Sequence, residues 1–264
     1  DFNNDGHLDI FFANGADIRT LKKTSPKYSN RLFQNDGKGN LSDVTERAGM
    51  AGTGYDVGVA VGDYDNDGFA DVFVGGVHAN RLYHNNGDGT FTDVSKASGV
   101  DIATNSRGAV FGDIDNDGDI DIYVTNSRQE SLIFVNNGKG VFAESHTKTG
   151  GSVYYGHGCA LGDLDGDGDL DMVVGNWRRP MMKNPGDWKT FENLTNNKNY
   201  ILLDLQGAKS NRSAVMSKVA LYDAGSAKVK SALRGYREVT AGNGTFTGNP
   251  LQVHVGLGAV KTCD

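Results

Sequence analysis

Apolar positions along the first 195 residues come in short alternating runs. GVAVGD, GAVFGD and GCALGD each lead into a polar stretch, which exits into an apolar run such as DVFVGG or DMVVGN. Runs this short, bounded by Gly, Asn and Asp, predict strands instead of helices. A second pair of runs follows in NRLFQNDGKGNLSDVT, NRLYHNNGDGTFTDVS and SLIFVNNGKGVFAES, where Asp36-Gly37, Asn86-Gly87 and Asn137-Gly138 predict tight hairpin turns. The fourth copy, RRPMMKNPGDWKTFENLT, has Pro180 in the strand and Pro185 in the turn. It predicts an edge or terminal unit, because proline removes a ladder donor. From about Asn199 the period stops, and the alternation in YILLDLQG and VALYD predicts further strands. The pattern as a whole predicts an all-β chain of four-stranded antiparallel units over residues 1–197, a small β segment over 198–264, and almost no helix.

The polar stretches are near-copies of one another: DFNNDGHLD from Asp1, DYDNDGFAD from Asp63, DIDNDGDID from Asp113 and DLDGDGDLD from Asp163. Positions one, three, five and nine carry side-chain oxygens in every copy, and position six is glycine. Carboxylates this close repel unless a positive charge sits between them. A hard divalent cation such as Ca²⁺ takes six to eight oxygens, and short acids on a tight turn supply them. The candidate ligands are Asp1, Asn3, Asp5 and Asp9; Asp63, Asp65, Asp67 and Asp71; Asp113, Asp115, Asp117 and Asp121; and Asp163, Asp165, Asp167 and Asp171. The backbone carbonyls of His7, Phe69, Asp119 and Asp169 at position seven complete the four sets. An EF-hand needs Glu at position twelve and flanking helices; here position twelve is Phe12, Val74, Val124 or Val174, inside predicted strands. Asp, Asn and Gly dominate ordinary turns too, but four copies in register favour metal. The first ligands are spaced by 62, 50 and 50 residues. A period near 50 with about four short strands predicts propeller blades.

The motif DxDxDGxxD followed by an apolar strand resembles the FG-GAP or VCBS-type repeat of integrin α-chain propellers, over residues 1 to about 195. The resemblance implies one blade per repeat, up to four Ca²⁺ and membership of a ring of about seven blades. In the C-terminal part, the pieces N-YILLDL, SNRSAV and HVGLG resemble the ASPIC/UnbV segment of cartilage-acidic-protein-like proteins, with Met216 where that family usually has glycine. The chain starts inside its first loop without a preceding strand, so it reads as a processed or truncated product that does not close a ring alone. Its open edge must then be covered by upstream blades, the C-terminal segment or a neighbouring chain.

Glycine is 37 of 264 residues and proline only 4, which fits many tight turns. The formal charge of −7 argues against nucleic-acid or anionic-membrane partners. Yet 17 of the 33 acids stand in the four loops, and four bound Ca²⁺ would bring the net charge to +1. No apolar run approaches a membrane span. Cys159 aligns with Val59 and Ala109 and reads as a small buried strand residue; two cysteines do not make a disulfide scaffold. Weak calcium sites fill where calcium is abundant, which predicts an extracellular, secreted or cell-surface protein. The extra residues of the first repeat, GADIRTLKKTSPKYS, read as a solvated insertion or a binding loop through Arg19, Lys22, Lys23 and Lys27. NxS/T triplets stand at Asn40, Asn193, Asn211 and Asn243.

The carboxylates are committed to metal, and the six histidines His7, His78, His84, His146, His157 and His254 show no HExxH-type spacing. Tyr154, Tyr155 and His157 form a candidate pocket, with ordinary packing as the alternative; Arg212 reads as a strand-end or binding residue. Two functional classes follow: a calcium-stabilised adhesion, matrix or assembly module that binds a protein or glycan, or an extracellular carbohydrate-active enzyme or lectin using the propeller face. A structural subunit of a larger homo- or hetero-assembly is a third.

Overall fold

The structure is a computed structural model that describes residues 1–176, 188–195, 199–209, 211–240, 242 and 247–264. The alternating runs of the first repeat form β1 (Ile10–Phe12), β2 (Arg31–Asn35) and β3 (Leu41–Asp43), a three-stranded sheet without the strand that precedes the other loops. The second repeat forms β4 (Tyr55–Gly62), β5 (Asp71–Val77), β6 (Arg81–Asn85) and β7 (Phe91–Asp93). The third forms β8 (Ser106–Gly112), β9 (Asp121–Asn126), β10 (Leu132–Asn136) and β11 (Phe142–Glu144). Both are four-stranded antiparallel sheets in sequence order.

The fourth repeat departs from expectation. Its strands are β12 (Gly156–Gly162), β13 (Asp171–Asn176) and β14 (Trp188–Phe191). Met172 pairs with Phe191 as Val72 pairs with Tyr83, so WKTF holds the third-strand register beside β13. Pro180 and Pro185 lie outside the described residues. The other edge of β12 takes a short strand from the C-terminal segment in parallel, Cys159 opposite Thr247, so this sheet is mixed where an antiparallel one was expected. Val59, Ala109 and Cys159 occupy the same register opposite Val74, Val124 and Val174. Cys159 is indeed buried, both cysteines are free, and burial pushes the Cys159 thiol up to about 12.

A one-turn helix follows the outer strand in three repeats: α1 (Thr45–Ala48), α2 (Ser95–Ser98) and α3 (His146–Thr149). An acid two residues before each helix start holds it. Asp43 Oδ1 accepts from the Thr45 N–H at 3.0 Å, Asp93 Oδ1 from Ser95 N–H at 3.1 Å, and Glu144 Oε1 from His146 N–H at 2.7 Å. A D-x-[ST] pair before a glycine three or four residues on was the signal for the first two.

The C-terminal segment consists of β15 (Asn199–Leu203), β16 (Lys218–Tyr222), β17 (Leu233–Glu238), β18 (Thr247–Gly248) and β19 (Val253–Gly258). β15 pairs with β19 and β16 with β17, while β18 is the strand on β12. Its core gathers Leu221, Val239, Val253, Val255 and Leu257. Between the second and third repeats a separate core packs Phe73, Leu82, Phe111, Ile122 and Phe134. β8 packs against both β4 and β12, so the loops that follow these strands line one rim, and the Asn4 bond to Gly68 O brings the first loop beside them. Among the described residues no helix is long and apolar enough to cross a membrane.

Candidate metal loops

Each loop is folded by its own carboxylates. The position-one acid takes two backbone amides: Asp63 accepts from Asp67 N–H at 3.1 Å and Gly68 N–H at 2.8 Å, and Asp113 from Asp117 and Gly118 at 3.0 Å each. Asp1 does the same with Asp5 and Gly6, and Asp163 with Gly166 and Gly168. Position five accepts from the amide of position seven, as Asp5, Asp67, Asp117 and Asp167 show. The chain turns through the left-handed region at position four as well as at glycine six: Asn4, Asn66 and Asn116 have φ of 56°, 56° and 58°, and Gly166 has 83°. Asn is the side chain that best tolerates this conformation after glycine, which explains Asn, Asn, Asn, Gly at that position. Side chains at position seven lie on the hairpin turns, where a Cβ on Gly37, Gly87 or Gly138 would come within 2.2 Å of His7, 2.8 Å of Phe69 or 2.5 Å of Asp119.

The position-nine acids join loop to blade. Asp71 accepts from Tyr64 N–H at 3.1 Å and from Asn85 N–H at 2.8 Å; Asp9, Asp121 and Asp171 repeat the pattern with Asn35, Asn136 and Asn193. Those asparagines then reach the repeat before. Asn85 donates to the carbonyls of Ala70 and Phe2, Asn136 to Ile120 and Tyr64, and Asn193 to Leu170 and Ile114. The position-four asparagines point the other way: Asn4 donates to Gly68 O, Asn66 to Asp119 Oδ1 and Asn116 to Asp169 Oδ1. The four loops are therefore stitched in line, and the Asn193 amide of the NxT triplet is committed to two backbone carbonyls. Asn243 lies outside the described residues.

The donor set fits a hard cation. One oxygen each of Asp63, Asp65 and Asp67 lies within 4.8 Å of the others, as do those of Asp113, Asp115 and Asp121, and of Asp163, Asp165 and Asp171. The first loop does not converge in this way. Its Asn3 amide donates to Asp5 Oδ2 at 2.8 Å, and Lys218 Nζ lies 2.7 Å from Asp1 Oδ2. Burial pushes the Asp63 carboxyl up to about 8, and Asp71 and Asp117 up to about 6, so these loops hold negative charge only at a cost. The second loop has one member that the spacing did not reveal. His84 Nδ1 sits 3.2 Å from Asp65 Oδ2 and 3.5 Å from Asp71 Oδ1, and Asp71 raises the imidazole to about 9. Its equivalents are Gln34, Val135 and Glu192, so no repeat in the sequence marks it.

The other candidates are dispersed. Tyr154 and Tyr155 pack edge to face on each other, half-exposed in the case of Tyr154, while His157 lies on β12 with its carbonyl bonded to Thr125 Oγ1. The Arg212 guanidinium faces the Gln206 side-chain amide at 3.0 Å, a local contact whose chemistry assigns the amide oxygen to the Arg212 side. In the insertion, Arg19 is solvated and paired with Asp17, but Lys23 is buried: its side chain is 4% exposed and donates to the carbonyls of Asn14, Gly15 and Tyr28. Of the four basic residues read as a solvated insertion or a binding loop, Lys23 is thus committed to the fold.

A family model described as an FG-GAP-like repeat matches residues 1–74, 63–124 and 113–174. Among solved structures, the chain is similar to an Agrocybe aegerita lectin described for specific recognition of non-reducing terminal N-acetylglucosamine. The identity is 22%, over 72% of this chain and 50% of that one, with a TM-score of 0.37. This chain thus spans half the length of that lectin. No curated protein matches the chain.

Proposed function

Because the chain belongs to the FG-GAP-like repeat family, we propose that it is a secreted, calcium-loaded binding module whose partner is a protein or a glycan. The observation that carries this reading is the convergence of three carboxylates in each of loops two, three and four, on turns already held by their own amides. A turn that is preorganised loses little entropy on taking up an ion. Asp63, Asp65, Asp67 and Asp71 would hold one ion, Asp113, Asp115, Asp117 and Asp121 a second, and Asp163, Asp165, Asp167 and Asp171 a third, with Asp1, Asn3, Asp5 and Asp9 the weakest set. The ion supplies the positive charge that lets these crowded acids, Asp63, Asp71, Asp113, Asp121 and Asp171 among them buried, stay ionised together. Their commitment to backbone and cation supports binding over acid-base catalysis and leaves the connecting loops for recognition. Met216, at φ 77°, holds a left-handed backbone that favours glycine, the residue the ASPIC/UnbV segment usually has there, and this supports that register for residues 198–264. Calorimetric titration of chelator-stripped protein tests the first half: calcium should bind in preference to magnesium, and absence of binding at millimolar calcium would sink it. A glycan array and an extracellular-protein panel, each probed with calcium and with chelator, test the second. Calcium-dependent capture is expected, and turnover of panel glycans without retained ligand would replace the module by an enzyme.

A further inference from the structure

The C-terminal segment lies across the rim that carries the loops. Lys218 Nζ on β16 donates to Asp1 Oδ2 at 2.7 Å and to Asn4 Oδ1 at 2.5 Å, with Asp1 almost wholly buried beneath it. Arg237 on β17 donates through Nη2 to Gly118 O of loop three at 3.1 Å and through Nη1 to Asn66 Oδ1 of loop two at 3.5 Å. Together with Asp63 and Asp113, Arg237 lines a cavity of about 400 Å³ between segment and rim. The segment is held in place by backbone contacts: Gly256 N–H donates to Asp113 Oδ2 at 2.8 Å and Gly258 N–H to Asn116 O at 3.0 Å. A Cβ on Gly256 would stand 2.4 Å from both Asn116 and Asp113, so the approach is as close as glycine allows.

We propose that Lys218 and Arg237 are affinity-setting residues for the metal loops: resident counter-cations, one on loop one and one between loops two and three, that hold down affinity for a divalent cation. The inference rests on the calcium reading above. By Coulomb's law in a water-like dielectric, a fixed positive charge anywhere within about 10 Å of a divalent ion weakens its binding by at least roughly threefold, and Lys218 Nζ, 2.7 Å from a candidate ligand oxygen, lies inside that range. Reciprocity then requires calcium to loosen the segment by the same factor. The cations balance the carboxylates when the ion is absent, so the rim is never left with its full negative charge.

The test is a calcium titration by calorimetry on the full chain after chelation, comparing wild type with Lys218→Met, Arg237→Gln, Lys218→Arg and Arg237→Lys. The two charge-removing variants should each tighten at least one site by roughly threefold to tenfold, and the two charge-keeping variants should match wild type. Binding that is unchanged or weaker in both Lys218→Met and Arg237→Gln, with wild type binding normally, overturns this proposal alone. A wild type that takes up no calcium overturns the calcium reading and this proposal with it. Lys218 is a quarter exposed, so Lys218→Met decides the outcome if Arg237→Gln fails to fold.

Discussion

Asn136 illustrates how much one side chain carries in this architecture. Its amide nitrogen donates to the buried carbonyls of Tyr64 and Ile120, its oxygen accepts from Gly138 N–H, and its own N–H meets Asp121. Alanine there strands two buried acceptors, each costing about 1–1.5 kcal/mol, so Asn136→Ala should destabilise the chain by roughly 2–3 kcal/mol in urea unfolding. Asn35 is the internal control. It is more exposed and its amide reaches only Leu8 O, so Asn35→Ala should cost less than about 1 kcal/mol. Equal losses at the two positions would show that the bond between repeats adds nothing. Met216 offers the opposite sign. It holds φ 77° while its N–H donates to Val239 O at 2.8 Å, a strained backbone for a side chain with a Cβ. Met216→Gly removes that strain and should stabilise by up to about 1 kcal/mol, read by the urea midpoint; a loss of stability would mean that the Met216 side chain packs more than it strains.

The insertion between β1 and β2 is ordered around a buried ion pair instead of a solvent-facing basic patch. Lys23 Nζ lies 3.4 Å from Asp56 Oδ2, which also accepts from Asn30 Nδ2 at 2.8 Å, and Asn30 Oδ1 in turn accepts from Asn14 N–H. Burial pushes the ammonium down and the carboxyl up from their ordinary ranges, so each charge needs the other. Lys23→Met should therefore cost about 3–5 kcal/mol by leaving Asp56 unpaired, whereas Arg19→Ala, at an exposed side chain, should stay within about 0.5 kcal/mol. Thermal melts of the two variants decide it, and similar small effects would restore the solvated loop. The contrast also marks what the sequence makes legible. The acidic loops and the Asn-Gly and Asp-Gly hairpins are local, encoded by spacing within about ten residues, and their turns stand where the pattern puts them. Lys23 looks like its exposed neighbours because burial is a tertiary property. In the fourth repeat the strand that meets β13 is Trp188–Phe191, and Asn193, the residue that meets Asp171, gives no local signal. The links from Asn66 and Asn116 to the next loop were hidden in the same way, although the run Asn, Asn, Asn, Gly at position four was there to be read as a left-handed turn.

At the scale of the whole molecule the loops make stability depend on pH and calcium together, with opposite signs in the two states. Asp63, at about 8, and Asp71 and Asp117, at about 6, bind protons more tightly in the folded chain than at the ordinary carboxylate value of 3.8. Between about pH 4 and pH 8 the metal-free folded state thus carries more protons than the unfolded one, and stability must fall as pH rises through that window. Calcium reverses the slope. It binds the ionised carboxylates, so the loaded state loses its advantage as pH falls and protons compete for the same oxygens. Each site at a hundredfold excess over Kd adds about 2.7 kcal/mol, and for a chain of this size about 2–4 °C of Tm accompanies each kcal/mol. Several sites filling together should raise Tm by more than about 10 °C at about pH 8 and by little at about pH 5. Scanning calorimetry in calcium, magnesium and chelator at matched ionic strength measures both slopes. A chelated Tm that climbs from about pH 5 to pH 8, or a calcium shift of the same size at both ends, would mean that these acids behave as ordinary turns, with the fold held by its asparagine links alone.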